Sequence, residues 1–220
     1  MKTNMHTVKL NDHNVQIGKI VCIGRNYSEH VKELGNQTPD KPVIFIKPAG
    51  SLVSSGGTIV IPSYSDDCHH EIELAVLIGK TAKDVTAETA LDYVSGYAVA
   101  LDLTLRDVQG VQKEKGLPWE IAKAFDTSCP LSDFVPASQV DNPQELQLKL
   151  TVSGEVRQNG NTRDMIRSIA DLIAATSAYF TLEEGDVLLT GTPSGVGRIV
   201  SGDRLEASIE QVGMLSVSVE

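Results

Sequence analysis

The alternation of apolar and polar residues predicts many short strands and few helices. Residues 72–79 are apolar apart from Glu73 and end in glycine, a pattern typical of a strand buried on both faces. Residues 96–107 predict a second strand. Large apolar side chains occupy every other position from Tyr97 to Leu105, and alanine or polar side chains occupy the positions between them, from Ala98 to Arg106.

Shorter strands are predicted on either side of this central pair. Two strands flank a turn at 11–14, and KIVCIG, VIFIKP and TIVIP are predicted as single strands. A hairpin is predicted over 143–160, with Gly154 near its turn. DVLLTGTP is a further strand, and a final pair of strands lies around a turn at 212–213. The stretch at 49–57 between VIFIKP and TIVIP predicts a loop.

Helices are fewer. A short helix is predicted at 28–35, with Ser28 as its N-cap and Gly35 at its end. Residues 81–94 have the pattern of a surface helix, 108–116 are expected to be partly helical, and apolar residues at helical spacing predict a helix over 165–180, with Thr162 as a candidate cap. No repeat, low-complexity linker or clear domain boundary interrupts the chain. The prediction is a single-domain, strand-dominated α+β fold.

Composition and charge narrow the class of protein. The 220 residues are enough to bury a core, and a hydrophobic content of 41% with 22% charged residues is ordinary for a globular protein. A net charge of -10 argues against nucleic acid and anionic membranes as partners. It does not exclude an anionic substrate, because a bound cation and a few basic residues can reverse the field inside one cleft.

Targeting signals and cysteine usage indicate a cytoplasmic protein. The segment MKTNMHTVKLND lacks the apolar region of a signal peptide, and no apolar run approaches the roughly 20 residues of a membrane-spanning helix. Cys22, Cys68 and Cys129 are odd in number and fit no zinc-binding spacing. We therefore expect reduced thiols.

The two central strands carry three acidic residues. Glu71 and Glu73 project from one face of their strand, roughly 6–7 Å apart by the rise per residue. A Glu-x-Glu pair is common on solvated strands, but Asp102 is a third isolated acid, on a face that Ala98 and Ala100 keep roomy. An uncompensated buried pair of carboxylates costs several kcal/mol per ion. We interpret the three acids as ligands of one metal ion.

An oxygen-only ligand set suits Mg²⁺ or Mn²⁺, with the remaining positions left to water or substrate. Zinc is disfavoured because no Cys or His ligands have suitable spacing. His69 and His70 adjoin Glu71 and could be argued as ligands, but His70, next to Glu71 in a strand, would point to the opposite face and is more often an ordinary neighbour than a ligand.

A second candidate group is a histidine–carboxylate pair. His30 and Glu33 stand three residues apart on the short predicted helix, which suits a general base held in one tautomer by a carboxylate, although an ordinary surface pair has the same spacing. Glycines and turn residues on both sides would let the helix move as a lid. The glycine-rich segment 190–197 lacks the ending of a phosphate-binding loop, but its N–H groups and Thr192 could hold a carboxylate.

Five stretches resemble the fumarylacetoacetate hydrolase superfamily. They are IGRNYSEH, HHEIELAVLIG, GYAVALDLTLRDVQ, KGLPWEIAKAFD and GDVLLTGTPSGVG, and they occur in the family's order. The length and the KGLPW stretch are most similar to the short single-domain members, acylpyruvases that also decarboxylate oxaloacetate. The resemblance implies a mixed β-roll or β-sandwich with a few short helices, usually a homodimer. It divides the chain into a short N-terminal strand segment, 1–17, and a catalytic domain, 18–220.

The resemblance also implies roles for residues. The family's metal ligands fall on Glu71, Glu73 and Asp102, and its general-base pair falls on His30 and Glu33. Residues that contact or orient the substrate fall on Arg25, Arg106, Gln109, Lys123 and Thr192, with Lys123 stabilising the growing negative charge. Four cations beside the motifs, Arg25, Lys47, Arg106 and Lys123, would suit a small carboxylated substrate. KPAGSL departs from the serine-rich family loop, which leaves the part of Lys47 open.

The expected function is metal-dependent cleavage of a C–C bond in a small 2-oxo acid, by acylpyruvate hydrolysis or oxaloacetate decarboxylation. The bond breaks at C3 and leaves an enolate, whose charge the metal stabilises as a Lewis acid. An isomerase or tautomerase that shifts a proton through the same enolate is an alternative. Two further alternatives are a dicarboxylate-binding protein that uses the metal only as an anchor and a purely structural calcium site.

Overall fold

The protein is described here by a computed structural model, which covers residues 6–35 and 37–220. Most of its regular structure is extended. The strands are β1 (Thr7–Leu10), β2 (His13–Gln16), β3 (Ile20–Gly24), β4 (Val43–Lys47), β5 (Leu52–Ser54), β6 (Thr58–Ile59), β7 (Cys68–His70), β8 (Ile72–Ile78), β9 (Val94–Leu101), β10 (Thr104–Leu105), β11 (Cys129–Leu131), β12 (Val135–Pro136), β13 (Gln147–Val152), β14 (Glu155–Asn161), β15 (Val187–Leu189), β16 (Gly197–Arg198), β17 (Arg204–Ile209) and β18 (Gly213–Val219).

The helices are short. The α-helices are α1 (Ser28–Glu33), α2 (Arg106–Glu114), α3 (Glu120–Lys123) and α4 (Ile169–Tyr179), and 3₁₀ turns lie at Ala49–Ser51, Ala90–Tyr93, Ala137–Gln139 and Thr162–Asp164. Since α1 and α3 contain one or two turns, tertiary packing rather than helix propensity must hold them in place.

Two large sheets form the body of the protein. The larger has the strand order β4-β3-β15-β8-β9-β11-β5, with β12 also paired to β9, and mixes parallel and antiparallel neighbours. The second has the order β14-β13-β17-β18-β6. Small sheets of β10-β7-β16 and β1-β2 complete the architecture. The predicted strand-dominated α+β fold with mixed sheets and a few short helices is confirmed.

The core lies on both faces of β8. Leu74 and Val76 pack into a large apolar cluster that includes Leu148, Leu150 and Leu205 of the second sheet. Ala75 and Leu77 belong to a smaller cluster on the opposite face, together with side chains from β3, β9 and β15. All seven residues of β8 are buried, so the prediction of a strand buried on both faces is confirmed.

Most of the smaller elements follow their sequence patterns. The strands β3, β4 and β6 and the helix α4 lie within the predicted segments, and the predicted strand pair β1-β2 forms, although β2 begins at His13, inside the predicted turn. The hairpin β13-β14 turns at Ser153 and Gly154, and Gly154 has a φ of +86°, a left-handed conformation that glycine adopts without steric cost. The β17-β18 hairpin turns immediately before Gly213, as predicted.

Four predictions of local structure were wrong. Residues 81–94 form no α-helix: Ala82 pairs with Leu182 in an isolated bridge, and the only helical part of the segment is the 3₁₀ turn Ala90–Tyr93. The stretch 49–57, predicted as a loop, contains β5, which pairs in parallel with β11. Ser28 is the first residue of α1 and Tyr27 is its N-cap. The cap of α4 is Ser168, which forms a capping box with Asp171, and Thr162 lies in a separate 3₁₀ turn.

The second central strand is shorter than predicted. β9 ends at Leu101, β10 contains only two residues, and Arg106 begins α2 instead of continuing the strand. Cys22, Cys68 and Cys129 are free and buried, as the sequence predicts. Among the described residues, no helix is long and apolar enough to cross a membrane. The boundary proposed between 17 and 18 stays a prediction.

We expect the substitution Leu74→Ala to lower the free energy of unfolding by about 3 kcal/mol, because it removes buried methyl groups from the middle of the core and leaves a cavity. Leu74 is fully buried, whereas Leu91 is 45% exposed. Leu91→Ala is therefore the matched control and should change stability by no more than about 0.5 kcal/mol. Urea unfolding of both variants measures the difference, and equal effects would contradict the central position of β8.

Candidate metal and substrate site

Three buried carboxylates meet where the central strands end. Glu71 is the single residue between β7 and β8, Glu73 is the second residue of β8, and Asp102 follows directly after β9. The antiparallel register pairs Glu73 with Ala100, and the N–H of Asp102 donates to the carbonyl of Glu71 at 2.9 Å. One ligand oxygen from each carboxylate lies within 4.8 Å of the other two. The structure therefore brings together the three acids that the sequence places on two strands.

Small neighbours leave room for these side chains. Ala98 and Ala100 alternate on β9 with the large core residues, and they lie opposite Ala75 and Glu73 of β8. All of these residues are buried. Because alanine fills so little volume, a carboxylate that enters this face of the sheet does not displace the core.

Three cations compensate the negative charge. Lys123 of α3 lies between two of the acids, with its Nζ 3.0 Å from Glu71 Oε2 and 2.6 Å from Asp102 Oδ2. Arg106, at the start of α2, donates to the other oxygen of Glu71. Lys47, at the end of β4, places its Nζ 2.9 Å from Asp102 Oδ1. Each cation comes from a different element, so the charge balance depends on the tertiary structure.

The cations do not neutralise the three carboxylates equally. Burial alone would raise the pKa of Glu71, but the charges of Lys123 and Arg106 together outweigh burial, and the pKa lies below its usual value. Burial raises the pKa of Glu73 well above its usual value, and the nearby charge of Asp102 raises it further. Glu73 accepts a 2.7 Å hydrogen bond from the N–H of Gly191, and no ion pair involves it within the described ranges. Glu73 is therefore the acid that most needs another cation.

The donor set fits a divalent cation that prefers oxygen ligands. Magnesium binds oxygen at about 2.0–2.1 Å and calcium at about 2.3–2.6 Å, so two ligands of one ion lie at most about 4–5 Å apart. The three ligand oxygens lie within 4.8 Å of one another, a distance that falls inside this range. No cysteine or histidine belongs to the group, which disfavours zinc. Lys123 supplies a single positive charge at this place and would have to shift from between the carboxylates to admit an ion.

The predicted base pair lies on the opposite side of the same pocket. His30 is buried on α1, and its Nδ1 is 3.2 Å from Glu33 Oε2. The other oxygen of Glu33 accepts a hydrogen bond of 3.0 Å from the N–H of Gly195. This contact ties α1 to the loop after β15, so the helix is closed over the pocket in this structure.

The pocket unites most of the residues singled out from the sequence. Those that line it are Arg25, His30, Glu71, Glu73, Arg106, Gln109, Lys123 and Thr192. Asp102 lies behind Lys123, and Glu33 behind His30. The individual roles of these residues stay predictions, but the structure gathers them around one cavity.

Lys47 does not line the pocket. It is fully buried, and its Nζ is within 3.2 Å of the carbonyl oxygens of Leu103 and Ser128 as well as close to Asp102. The substrate contact suggested for Lys47 stays a prediction, because in this structure its ammonium group is buried and paired with Asp102. The ion pair with Lys47 holds the Asp102 side chain in place.

Several pocket residues were missed by sequence reasoning. They are Ile23, Gly24, Leu34, Phe45, Lys113 and Trp119. The Nζ of Lys113 lies 5.3 Å from the centre of the Trp119 ring, a distance at which a cation and an aromatic face attract. Helical spacing could have identified Lys113, since Arg106, Gln109 and Lys113 are separated by three and four residues on α2. That signal was lost because the sequence pattern assigned Arg106 to a strand.

The turn after β3 contains a strained residue. Arg25 has a φ of +61°, which is uncommon for a residue with a Cβ atom. The next residue, Asn26, holds the turn in place: its side chain donates to Thr190 O at 2.9 Å and accepts from the N–H of Arg167 at 2.9 Å. The strain directs the Arg25 side chain to the pocket that it lines.

The loop that contains Thr192 is built by close contacts. Gly191 and Gly195 have φ values of +97° and +96°, and a Cβ atom at Gly195 would lie only 2.2 Å from the carbonyl oxygen of Arg157. The sequence suggested that N–H groups of this loop hold a carboxylate. Two of them do bind carboxylates, but these belong to the chain itself, Glu73 and Glu33.

The two histidines beside Glu71 serve other purposes. His69 contacts Asp67, with 3.0 Å between Nε2 and Oδ1. His70 contacts Gln158, with 3.0 Å between Nδ1 and Oε1. Neither belongs to the group of described residues that could hold a metal.

Comparison with known proteins identifies the family. The family described as fumarylacetoacetate (FAA) hydrolase C-terminal matches residues 19–220. The chain belongs to this family. Within it, the "Oxaloacetate tautomerase YcgM" of Escherichia coli (strain K12) is 53% identical over 195 residues, which cover 88% of this chain and 89% of that protein. The "Oxaloacetate decarboxylase, mitochondrial" of Dictyostelium discoideum is 47% identical over 192 residues, 87% of this chain and 88% of that protein.

A solved structure of the same family extends the comparison. The fumarylpyruvate hydrolase of Pseudomonas aeruginosa, in complex with Mn²⁺ and pyruvate, superposes with a TM-score of 0.95 at 38% sequence identity, and the match covers 100% of this chain and 97% of that one. The resemblance to the FAA hydrolase family is thus confirmed, together with its fold.

We expect Glu73→Gln to have opposite effects on metal binding and on the stability of the metal-free protein. Removing one carboxylate charge should weaken Mn²⁺ binding by about 100-fold or more, because second-shell changes alone typically cost 10–100-fold. The melting temperature of the metal-free protein should rise, because the substitution removes the burial penalty and the repulsion from Asp102 that raise the pKa of Glu73.

Calorimetric titration with Mn²⁺ and thermal unfolding in a chelator measure the two effects. Glu29→Gln is the control, since Glu29 is exposed and its partner is Lys32. Unchanged Mn²⁺ affinity in Glu73→Gln would remove Glu73 from the ligand set.

Proposed function

We propose that this FAA hydrolase family member is a metal-dependent enzyme that interconverts the keto and enol forms of a small 2-oxo acid, with oxaloacetate as the favoured substrate. The observation that carries the proposal is the convergence of three buried carboxylates and the His30–Glu33 pair on one cavity. The high identity to an oxaloacetate tautomerase favours this reaction within the family.

Unpaired cations support an anionic substrate. Arg25 and Lys113 line the pocket, and neither forms an ion pair among the described residues. Burial, followed by the like charge of Arg106, lowers the pKa of Lys113 to about 8. Repulsion between cations held in one pocket is relieved by a bound anion. The pocket therefore suits a carboxylated substrate although the chain carries a net charge of -10.

Glu71, Glu73 and Asp102 would hold Mg²⁺ or Mn²⁺ as the cofactor. When bound, the ion polarises the 2-oxo group as a Lewis acid and so favours loss of a proton from the neighbouring carbon. The presence of Mn²⁺ and pyruvate in the related P. aeruginosa structure supports a divalent cation at this position.

The chain's own residues would move the proton. Because Glu33 contacts Nδ1 of His30, the proton of the neutral imidazole is held there and Nε2 is left free as a base. In the forward direction, Nε2 takes a proton from C3 of the keto acid, and a proton is returned to the oxygen on C2, which gives the enol. Lys123 is within the same cavity as His30, and its positive charge would stabilise the negative charge that develops on that oxygen.

C–C bond cleavage is the second candidate function, and it was the first expectation from the sequence. It uses the same enolate: loss of CO₂ from oxaloacetate, or attack of water on the distal carbonyl of an acylpyruvate, leaves the enolate of pyruvate. The relatives include a decarboxylase and a fumarylpyruvate hydrolase. In the hydrolytic reaction His30 would activate the water.

The other expectations accompany the proposal. A homodimer and a cytoplasmic location stay predictions, testable by light scattering and by cell fractionation. We also retain the prediction that neither nucleic acid nor a membrane is a partner, in keeping with the acidic charge of the chain.

A substrate panel tests the proposed reaction. Purified protein with Mg²⁺, with Mn²⁺ and with chelator would be given oxaloacetate and an acylpyruvate, and enol absorbance, pyruvate and CO₂ would be followed separately. We expect metal-dependent enol–keto conversion of oxaloacetate to be faster than the release of CO₂ or pyruvate. Oxalate binding without any turnover would instead support a binding protein, and stabilisation by Ca²⁺ alone would support a structural site.

We expect His30→Ala to separate the candidate reactions. It should lower acylpyruvate hydrolysis and tautomerisation by about 10²–10⁴-fold, the usual effect of losing a general base, and should lower decarboxylation less because CO₂ leaves without attacking water. Steady-state rates for the three reactions provide the measurement. Equal losses in hydrolysis and decarboxylation would argue against water activation. Glu29→Gln, on the exposed side of the same helix, is the control.

A further inference from the structure

A glutamine from the second sheet reaches into the wall of the site. Gln158 lies on β14 and is 1% exposed. Its side-chain amide makes four hydrogen bonds: the oxygen contacts His70 Nδ1 and Ile72 N, each at 3.0 Å, and the nitrogen contacts Thr192 Oγ1 and Pro193 O, each at 2.8 Å. A buried amide with all its contacts made is strongly oriented.

Two backbone partners determine which end of the Gln158 amide is the oxygen and which is the nitrogen. The N–H of Ile72 can only donate, so it requires the amide oxygen. The carbonyl of Pro193 can only accept, so it requires the amide nitrogen. The assignment of oxygen and nitrogen therefore follows from the hydrogen-bond network. The second hydrogen of the same NH₂ group must then point at Thr192.

This polarity decides what the Thr192 hydroxyl can do. Since Gln158 donates to Thr192 Oγ1, the hydrogen of the hydroxyl is left for another acceptor. Within the described ranges no acceptor for it is found in the chain, and Thr192 lines the pocket. The hydroxyl is thus prepared to donate to an anion in the cavity.

The same amide supports the metal ligands from outside. Its oxygen holds His70 and Ile72, the two residues that flank Glu71. Because an amide oxygen only accepts, His70 must carry a hydrogen on Nδ1. The nitrogen meanwhile holds the loop whose Gly191 N–H binds Glu73. One side chain therefore connects β8, which bears the acids, with the loop that bears Thr192.

We propose that Gln158 is a positioning residue, which turns the Thr192 O–H toward the carboxylate of the bound 2-oxo acid. The inference rests on the proposed function, because it needs an anionic ligand in the cavity. A glutamate at 158 would reverse the polarity: it would accept from the Thr192 hydroxyl and turn the hydrogen away from the ligand.

The test is a double-mutant cycle on ligand affinity. The Mn²⁺-loaded protein would be titrated with oxalate, which carries the paired oxygens of a 2-oxo acid, by calorimetry. Thr192→Val removes the hydroxyl at nearly constant volume and should weaken oxalate binding about 10- to 100-fold, the effect of losing a hydrogen bond to a charged group. Gln158→Glu should cause a similar loss. The double variant should bind within about threefold of Thr192→Val alone, because no hydroxyl then remains to be oriented.

Two further variants make the cycle specific. Gln158→Met has similar length and carries no charge, so it replaces Gln158→Glu in the cycle if the glutamate variant does not fold. Gln147→Glu is the matched control, since Gln147 is an exposed glutamine on the adjoining β13, and it should leave oxalate affinity unchanged.

Three results would overturn the inference. Unchanged affinity in Thr192→Val would mean that the hydroxyl does not contact the ligand. Unchanged affinity in Gln158→Glu, or losses that multiply in the double variant, would mean that Gln158 acts only through general stability. Failure of the Mn²⁺-loaded wild-type protein to bind oxalate would overturn the proposed function itself, and that outcome is recognised before any variant is made.

Discussion

The cost of burying three carboxylates is the constraint on which this structure depends. Glu71, Glu73 and Asp102 lie in the most apolar part of the larger sheet, where an uncompensated ion costs several kcal/mol. The neighbouring residues offset this cost with ammonium and guanidinium groups from β4, α2 and α3. No cation pairs with Glu73 among the described residues, and its raised pKa reflects this uncompensated negative charge in a buried place. A divalent cation would compensate this charge, so the electrostatics that strain the metal-free site also give it affinity for metal.

The site lies between the two large sheets, and each sheet supplies different residues to it. The larger sheet supplies Glu73 on β8, which has a strand on each side, and holds Glu71 and Asp102 at the ends of β8 and β9. The second sheet supplies β14, whose close contacts with the loop after β15 shape the opposite wall: Gly160 packs against Pro193, and Gln158 bonds to Thr192. The loop then reaches α1 through Glu33. Metal ligands, substrate contacts and the predicted base are therefore connected through one continuous set of hydrogen bonds, which favours a preorganised site.

The pocket shows how an acidic chain can present positive charge to an anionic ligand. Long-range charge affects encounter and solubility, whereas binding is decided by charges at close range. Arg25, Arg106, Lys113 and Lys123 surround the cavity, and a bound cation would add to their field. A substrate with carboxylate and keto oxygens matches both parts of this site, since it can approach the cation and still meet basic side chains.

The sequence alone determined the features that depend on local periodicity. Alternation on two apolar strands predicted both the core and the convergence of Glu71 and Glu73 with Asp102, because side-chain direction on a strand follows from position. Only the tertiary structure decided the features that depend on distant partners. Lys47 looked like a pocket cation but is buried beside Asp102. Arg106 starts a helix that brings Lys113 to the cavity, and the segment 81–94, predicted as a helix, forms a bridge from Ala82 to Leu182 and a 3₁₀ turn. Gln158 carried no local signal, since its importance arises from four partners that are distant in sequence. Periodicity encodes which face a residue occupies, whereas the identity of the atoms opposite that face is set by long-range packing.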